Sequence, residues 1–294
     1  MTDARCPAAI VCAASLAFAI HCDATPDIVG RLSSDDRPDA ATRSPREPNP
    51  PGPSPRENEP IPEVNVASDC SKSAAFPYAI TASGAVYRFD PLANQLTLLG
   101  TPPCTKDTEL TALAVARDGT FFVTRADQEG FAFDESVGFC RLLKVPGPEG
   151  VRRIGFVRRG SFDVLQLVSD RSLYEIDLAR GSASLVAVLD LNVISWFGTE
   201  DGRVYGGLNG GRNTIAVAAF DRDSYRVLAR NVVNAPLRDE ARSPPVAFWR
   251  NRFFAFADTV FLYDPATSEL APVAPAPRDD PFVVAASSTC VARD

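Results

Sequence analysis

Three features of this 294-residue chain predict an all-β fold closed into a ring of five blades. A short pattern recurs five times at a nearly constant period. Each copy is made of short runs that alternate apolar and polar residues. The last such run has no sheet of its own. The pattern reads aromatic or apolar, any residue, apolar, then Asp. It occurs as Tyr87-Arg88-Phe89-Asp90, Phe131-Ala132-Phe133-Asp134, Tyr174-Glu175-Ile176-Asp177, Ala218-Ala219-Phe220-Asp221 and Phe261-Leu262-Tyr263-Asp264. The aspartates stand 44, 43, 44 and 43 residues apart. A period of about 40–50 residues built from short strands is what propeller blades produce. With 25 Pro and 18 Gly, the chain also leaves little room for long helices.

Ahead of the repeat, residues 1–22 read as a signal peptide. The apolar run Pro7–Ile20 is 14 residues long, too short to span a bilayer and matched to the core of a secretory leader. The residues at the end of this run fit two processing routes. Ala19-Ile20-His21-Cys22 resembles a bacterial lipobox, which would make Cys22 the acylated first residue, although His21 stands where a small residue is usual. Ordinary cleavage near Cys22–Ala24 is the other route. Residues 23–68 then form a Pro-rich linker mixed with Asp, Glu, Arg and Ser and free of aromatic residues. Such a segment buries too little apolar surface to offset its chain entropy, so a disordered tether is expected.

Residues 69–294 are assigned to the propeller. The first copy opens on a second strand, Phe76–Ala82, with no good first strand before it. The second copy shows the full order: Leu113–Arg117, a turn at Asp118-Gly119, Thr120–Ala126, a turn near Glu129-Gly130, Phe131–Asp134, then Phe139–Val145. In the third copy Ile154–Val157 is the innermost strand. The fourth repeats the Asp-Gly turn at Asp201-Gly202 and places a hairpin tip at Asn209-Gly210, where positive φ is needed. Each repeat aspartate ends a third strand, and its side chain is expected to bond backbone amides in the turn beyond. The final run, Phe282–Ser288, resembles a first strand with no blade to follow. Pairing it beside Phe76–Ala82 closes the ring, so that the N- and C-terminal strands share one blade and no open edge remains.

Four of the seven cysteines lie in the propeller: Cys70, Cys104, Cys140 and Cys290. Four cysteines allow three pairings. Closure brings Cys70, just before the first strand, beside Cys290, just after the last. Cys104 and Cys140 then pair by default. No CxxC spacing occurs, so no zinc site is expected. An even cysteine count behind an export leader points to an oxidising compartment outside the cytoplasm.

Taken together, Tyr87-Arg-Phe-Asp-Pro91, Ala114-Val-Ala-Arg-Asp-Gly119, Gly155-Phe-Val157, Thr199-Glu-Asp-Gly-Arg-Val-Tyr-Gly206 and Val284-Ala-Ala-Ser-Ser-Thr-Cys290 resemble myxobacterial lipoproteins with propeller-like repeats. The likeness covers about residues 70–290. The family has no characterised activity, so it supports fold and compartment and brings no chemistry.

Composition excludes several kinds of chemistry. The one histidine, His21, lies in the leader, so the mature chain cannot build a Ser-His-Asp triad or a His-ligated metal site. A net charge of −7 and a pI near 4.9 argue against nucleic acid as partner. Gly206–Gly211 is glycine-rich but lacks the Lys-Ser/Thr of a phosphate loop and reads as a hairpin. Carboxylates are the acid–base groups left. Candidate ligand contacts are Arg152 and Arg153, beside the pair Arg158 and Arg159. The two pairs flank the innermost strand of blade three, where they would line one channel mouth or sit as solvated strand ends. Trp196 and Trp249, at first-strand positions of blades four and five, either pack between blades or offer a stacking surface for a sugar. The expected protein is an exported binding or scaffold module without cofactor or metal, not an enzyme, its partner an envelope protein or glycan, touching the membrane only through an anchor at Cys22. The alternative is a glycan-acting enzyme that works through carboxylates.

Overall fold

The computed structural model describes residues 69–127, 129–211, 213–237 and 243–291. The expected leader and linker, with Cys22, fall outside them. Among the described residues twenty strands form five four-stranded antiparallel sheets, and these make a five-bladed β-propeller. Blade one holds β1 (Tyr78–Thr81), β2 (Val86–Asp90) and β3 (Gln95–Gly100). Blade two holds β4 (Leu110–Val115), β5 (Phe121–Arg125), β6 (Gly130–Phe133) and β7 (Arg141–Leu143). Blade three holds β8 (Arg152–Arg159), β9 (Phe162–Ser169), β10 (Ser172–Asp177) and β11 (Ser182–Val188). Blade four holds β12 (Val193–Gly198), β13 (Val204–Leu208), β14 (Thr214–Phe220) and β15 (Val227–Asn234). Blade five holds β16 (Val246–Trp249), β17 (Arg252–Phe256), β18 (Thr259–Asp264) and β19 (Glu269–Pro275).

The last strand, β20 (Phe282–Ala286), returns to blade one, whose order is β20-β1-β2-β3. It pairs antiparallel with β1 in the register Tyr78↔Ala286, Ala79↔Ala285 and Ile80↔Val284. The closure read from the sequence is therefore the closure of the fold. Cys70–Cys290 and Cys104–Cys140 are both disulfides, each with Cα atoms 5.9 Å apart.

The repeat aspartates act as turn acceptors in all five blades. Asp90 Oδ1 accepts from the amides of Leu92 and Ala93, and Asp134 from Ser136. Asp177 accepts from Arg180, Asp221 from Asp223 and Ser224, and Asp264 from Ala266. The aromatic that opens the pattern has its own role. The ladders to the outermost strands slip register beside Tyr87, Tyr174 and Phe261, and such bulges bend an edge strand away from straight pairing. Two details depart from the sequence reading. Strand β4 starts at Leu110 and stops at Val115, because Ala116 to Gly119 already form the turn. The hairpin tip of blade four places positive φ at Gly211 and Asn213 rather than at Asn209-Gly210.

The core lies between blades as wedges of interleaved side chains. Tyr78, Ile80, Phe121, Phe133 and Val284 fill the space between blades one and two. Val168, Leu173, Trp196 and Phe220 fill that between three and four. The aromatic wedge of Phe197, Tyr205, Phe248, Phe253, Phe254 and Phe89 joins blades four, five and one. Toward the axis, β8 and β12 come so close that only glycine fits. A Cβ at Gly155 would lie 1.9 Å from the Trp196 carbonyl oxygen, and one at Gly198 would lie 2.7 Å from the Val157 Cα. No helix among the described residues is long and apolar enough to cross a membrane.

Candidate functional site

The innermost strands β4, β8, β12, β16 and β20 begin at one face of the ring, termed the upper face, and end at the other. Residues at or next to their starts enclose an axial cavity of about 320 Å³. Every blade contributes to its wall: Glu109 and Thr111 from blade two, Arg153 from blade three, Asn209 from blade four, Pro245 ahead of β16 and Val283 from β20. Arg153 is half-buried, and its Nη1 donates to the Thr111 carbonyl, which fixes the guanidinium at the cavity wall across two blades.

Of the four ligand contacts expected from the sequence, only Arg153 faces this cavity. Arg152 is 5% exposed. Its guanidinium donates to the carbonyls of Val145 at 2.9 Å, Pro148 at 3.2 Å and Gly147 at 3.4 Å, so it organises its own loop. Burial pushes its pKa below the usual value for arginine. Neighbours on a strand point to opposite sides, which is why adjacent arginines part company here. Trp196 is 2% exposed. Its Nε1 donates to Gln166 Oε1 at 3.0 Å, and its ring packs on Phe220 with centroids 5.0 Å apart. Trp249 is 5% exposed within the aromatic wedge, with the Arg250 guanidinium 4.7 Å from its ring centre. Both tryptophans take the packing role of the two foreseen.

Arg158 and Arg159 do not join Arg152 and Arg153 at one mouth. They sit at the far end of the eight-residue β8, at the lower face. There Arg158 Nη1 lies 3.4 Å from Asp163 and 3.8 Å from Asp69. Arg117 pairs with Asp69, and Asp163 accepts from the Thr289 hydroxyl. The Ser71 amide donates to the Arg117 carbonyl at 2.8 Å. With the Cys70–Cys290 bond beside them, both ends of the propeller chain are fastened at this lower face. The hydrogen bond from Arg117 holds the Asp69 carboxyl below the usual carboxylate range.

Chemistry at the upper face rests on oriented polar groups. Asp280, near the start of β20, accepts from the Ser83 amide at 2.9 Å and the Ser83 hydroxyl at 2.6 Å. Burial alone would raise its pKa, but the Ser83 and Thr81 hydroxyls and the Ser83 amide outweigh that and hold it low. Asp280 is therefore a fixed anion, opposite in character to a carboxylic acid poised to donate a proton. Among the described residues no three of His, Cys, Asp and Glu stand together in a way that could hold a metal ion. Glu109 and Pro245 escaped sequence reasoning because they lie in connections between blades, which carry no periodic signal, and Asn209 was read only as part of a hairpin tip within blade four. A usable hint was Asp279-Asp280-Pro281 directly before the final strand.

No protein-family model and no curated protein matches the chain. Among solved structures it is similar to a chain of the nidogen/laminin complex, at 11% identity and a TM-score of 0.47, covering 71% of this chain and 97% of that one. It is also similar to a protein of unknown function from Bacteroides caccae, at 8% identity and a TM-score of 0.42, covering 72% and 98%. A third is the WD40 domain of Neurospora crassa Pan2, at 11% identity and a TM-score of 0.41, covering 71% and 68%.

Proposed function

We propose that the chain is an exported propeller that works as a binding or scaffold module at the bacterial cell envelope, with the upper axial mouth as its ligand-binding face. The observation that carries this reading is the unlikeness of the two faces. The lower face is engaged by the molecule's own ends, through the Cys70–Cys290 bond and the Asp69, Arg117, Arg158 and Asp163 ion pairs. The upper face holds a cavity to which all five blades contribute, with Glu109, Arg153 and Asn209 presented into it. Concave sites of this kind, with a few fixed polar groups, are where ligands bind. Export is supported by the leader-like residues 1–22 and by two disulfides, which persist in oxidising compartments. Attachment through residues ahead of Cys70 would turn the upper face outward.

The test is position-dependent photo-crosslinking in cells that export the full chain. A photoreactive residue at Val151, an exposed member of the upper cavity wall, is compared with one at Phe162, exposed at the lower end of β9. Reproducible adducts at Val151 and none at Phe162 are expected; no adduct at Val151, or equal yields at both, overturns the reading. Metabolic palmitate labelling that disappears in Cys22→Ser tests the anchor.

A further inference from the structure

The axial cavity has neighbours on the same face. A recess of about 590 Å³ between blades five and one shares Ser243, Pro245 and Val283 with it. A third, of about 270 Å³ between blades three and four, shares Asn209 with it. Shared walls set the three spaces side by side in a row across the upper face, termed here the groove. Its ends differ in charge. The first recess carries Asp258, Asp279 and Asp280 beside proline walls. The third carries Arg171 and Arg230 with a single acid, Asp190. Neither arginine has an ion-pair partner among the described residues. Midway, Glu109 and Arg153 place one charge of each sign at the axis.

We propose that this groove binds an extended polypeptide segment, with a basic side chain over Asp279 and an acidic side chain over Arg171 and Arg230. The inference rests on the upper face being the binding face, and adds the class of ligand and its direction of charge. Opposite charges at the two ends select a ligand with the complementary order and penalise one that carries a single sign. The aromatic rings lining the groove, Phe256 and Phe282, are 0% and 6% exposed. Sugars therefore find no open ring to stack on, whereas apolar side chains find the proline and valine walls.

Selection from a displayed library of random peptides, about twelve residues or roughly 40 Å when extended, on the immobilised full-length protein tests this. The expected consensus is one basic and one acidic position at a constant separation. A selected peptide is then synthesised with a fluorescent label and titrated by anisotropy. Asp279→Asn, which keeps a residue tolerant of the positive φ at that site, weakens binding about five- to tenfold. The double variant Arg171→Gln and Arg230→Gln does the same. The peptide with its basic residue replaced by Gln no longer responds to Asp279→Asn, a coupling that a merely structural effect would not produce. A consensus of one sign, an apolar consensus without fixed spacing, or the absence of this coupling overturns the proposal. If no peptide is enriched but a neutral oligosaccharide suppresses crosslinking at Val151, the peptide is wrong and the binding face stands. If neither enrichment nor Val151 adducts occur, both fail.

Discussion

Removing the Cys70–Cys290 bond, by replacing both residues with Ala, tests how the ring is held. The bond spans 220 residues in sequence, whereas Cys104–Cys140 spans 36. In the chain-entropy treatment a crosslink of the longer span stabilises by about 5.4 kcal/mol and one of the shorter span by about 3.8 kcal/mol. The difference, about 1.6 kcal/mol, depends only on the logarithm of the two loop lengths. Pairing of β20 with β1 does not need the bond, so the variant is expected to fold, with reduced stability. For a domain of this size the loss lowers the melting temperature by about 10–20 °C. Urea unfolding of the full chain, compared with the Cys104→Ala and Cys140→Ala pair, reads the effect directly. If removing the short-span bond costs as much as removing the long one, or the long one costs under about 2 kcal/mol, the entropic account of closure is wrong.

Gly155→Ala would force a Cβ to within 1.9 Å of the Trp196 carbonyl oxygen; a loss above about 3 kcal/mol in urea unfolding is expected, since backbone cannot yield as a side chain can. Trp196→Phe strips the donor from Gln166 Oε1 inside the wedge between blades three and four, and should cost about 1–3 kcal/mol in the same measurement while leaving crosslinking from Val151 intact. Acid should loosen the turns and the lower fastening. The carboxyls of Asp69, Asp134, Asp221 and Asp280 are all depressed below their ordinary value of 3.8. Their contribution is therefore complete above that pH and lost as pH falls through the depressed values. Melting temperature against pH should decline on the acid side of 4, more shallowly in Asp134→Asn than in the wild type.

The parts of the fold that repeat were readable, and those that do not repeat were hidden. Asp90, Asp134, Asp177, Asp221 and Asp264 announce the blades because the same turn needs the same acceptor every time. The unpartnered run at residues 282–288 announced closure for the same reason, and closure then paired Cys70 with Cys290. Of the proposed binding face, the ligand contacts expected from the sequence include only Arg153. Arg152 differs from it solely by strand parity, which a sequence shows only when the register is known. Trp196 and Trp249 looked alike as packing residues and as platforms, because a buried and an exposed ring share the same local sequence signal. Asn209, Pro245 and Asp280 come from three separate segments, the β13–β14 hairpin and the connections ahead of β16 and β20, and nothing along the chain records that the ring brings these segments to one face.

Closure by the final strand also sets a timetable. The innermost strand of the first sheet is the last strand of the ring to be synthesised, and blade one keeps an unpaired β1 edge until residues 282–286 arrive. A chain exported N-terminus first, as proposed, would present that edge throughout transit. The completing contacts are also as distant in sequence as the fold permits, which makes them slow to form. Truncation by a dozen residues at the C-terminus would leave a crescent with one sticky flank, so for this architecture the far end of the chain decides whether the near end is safe from aggregation.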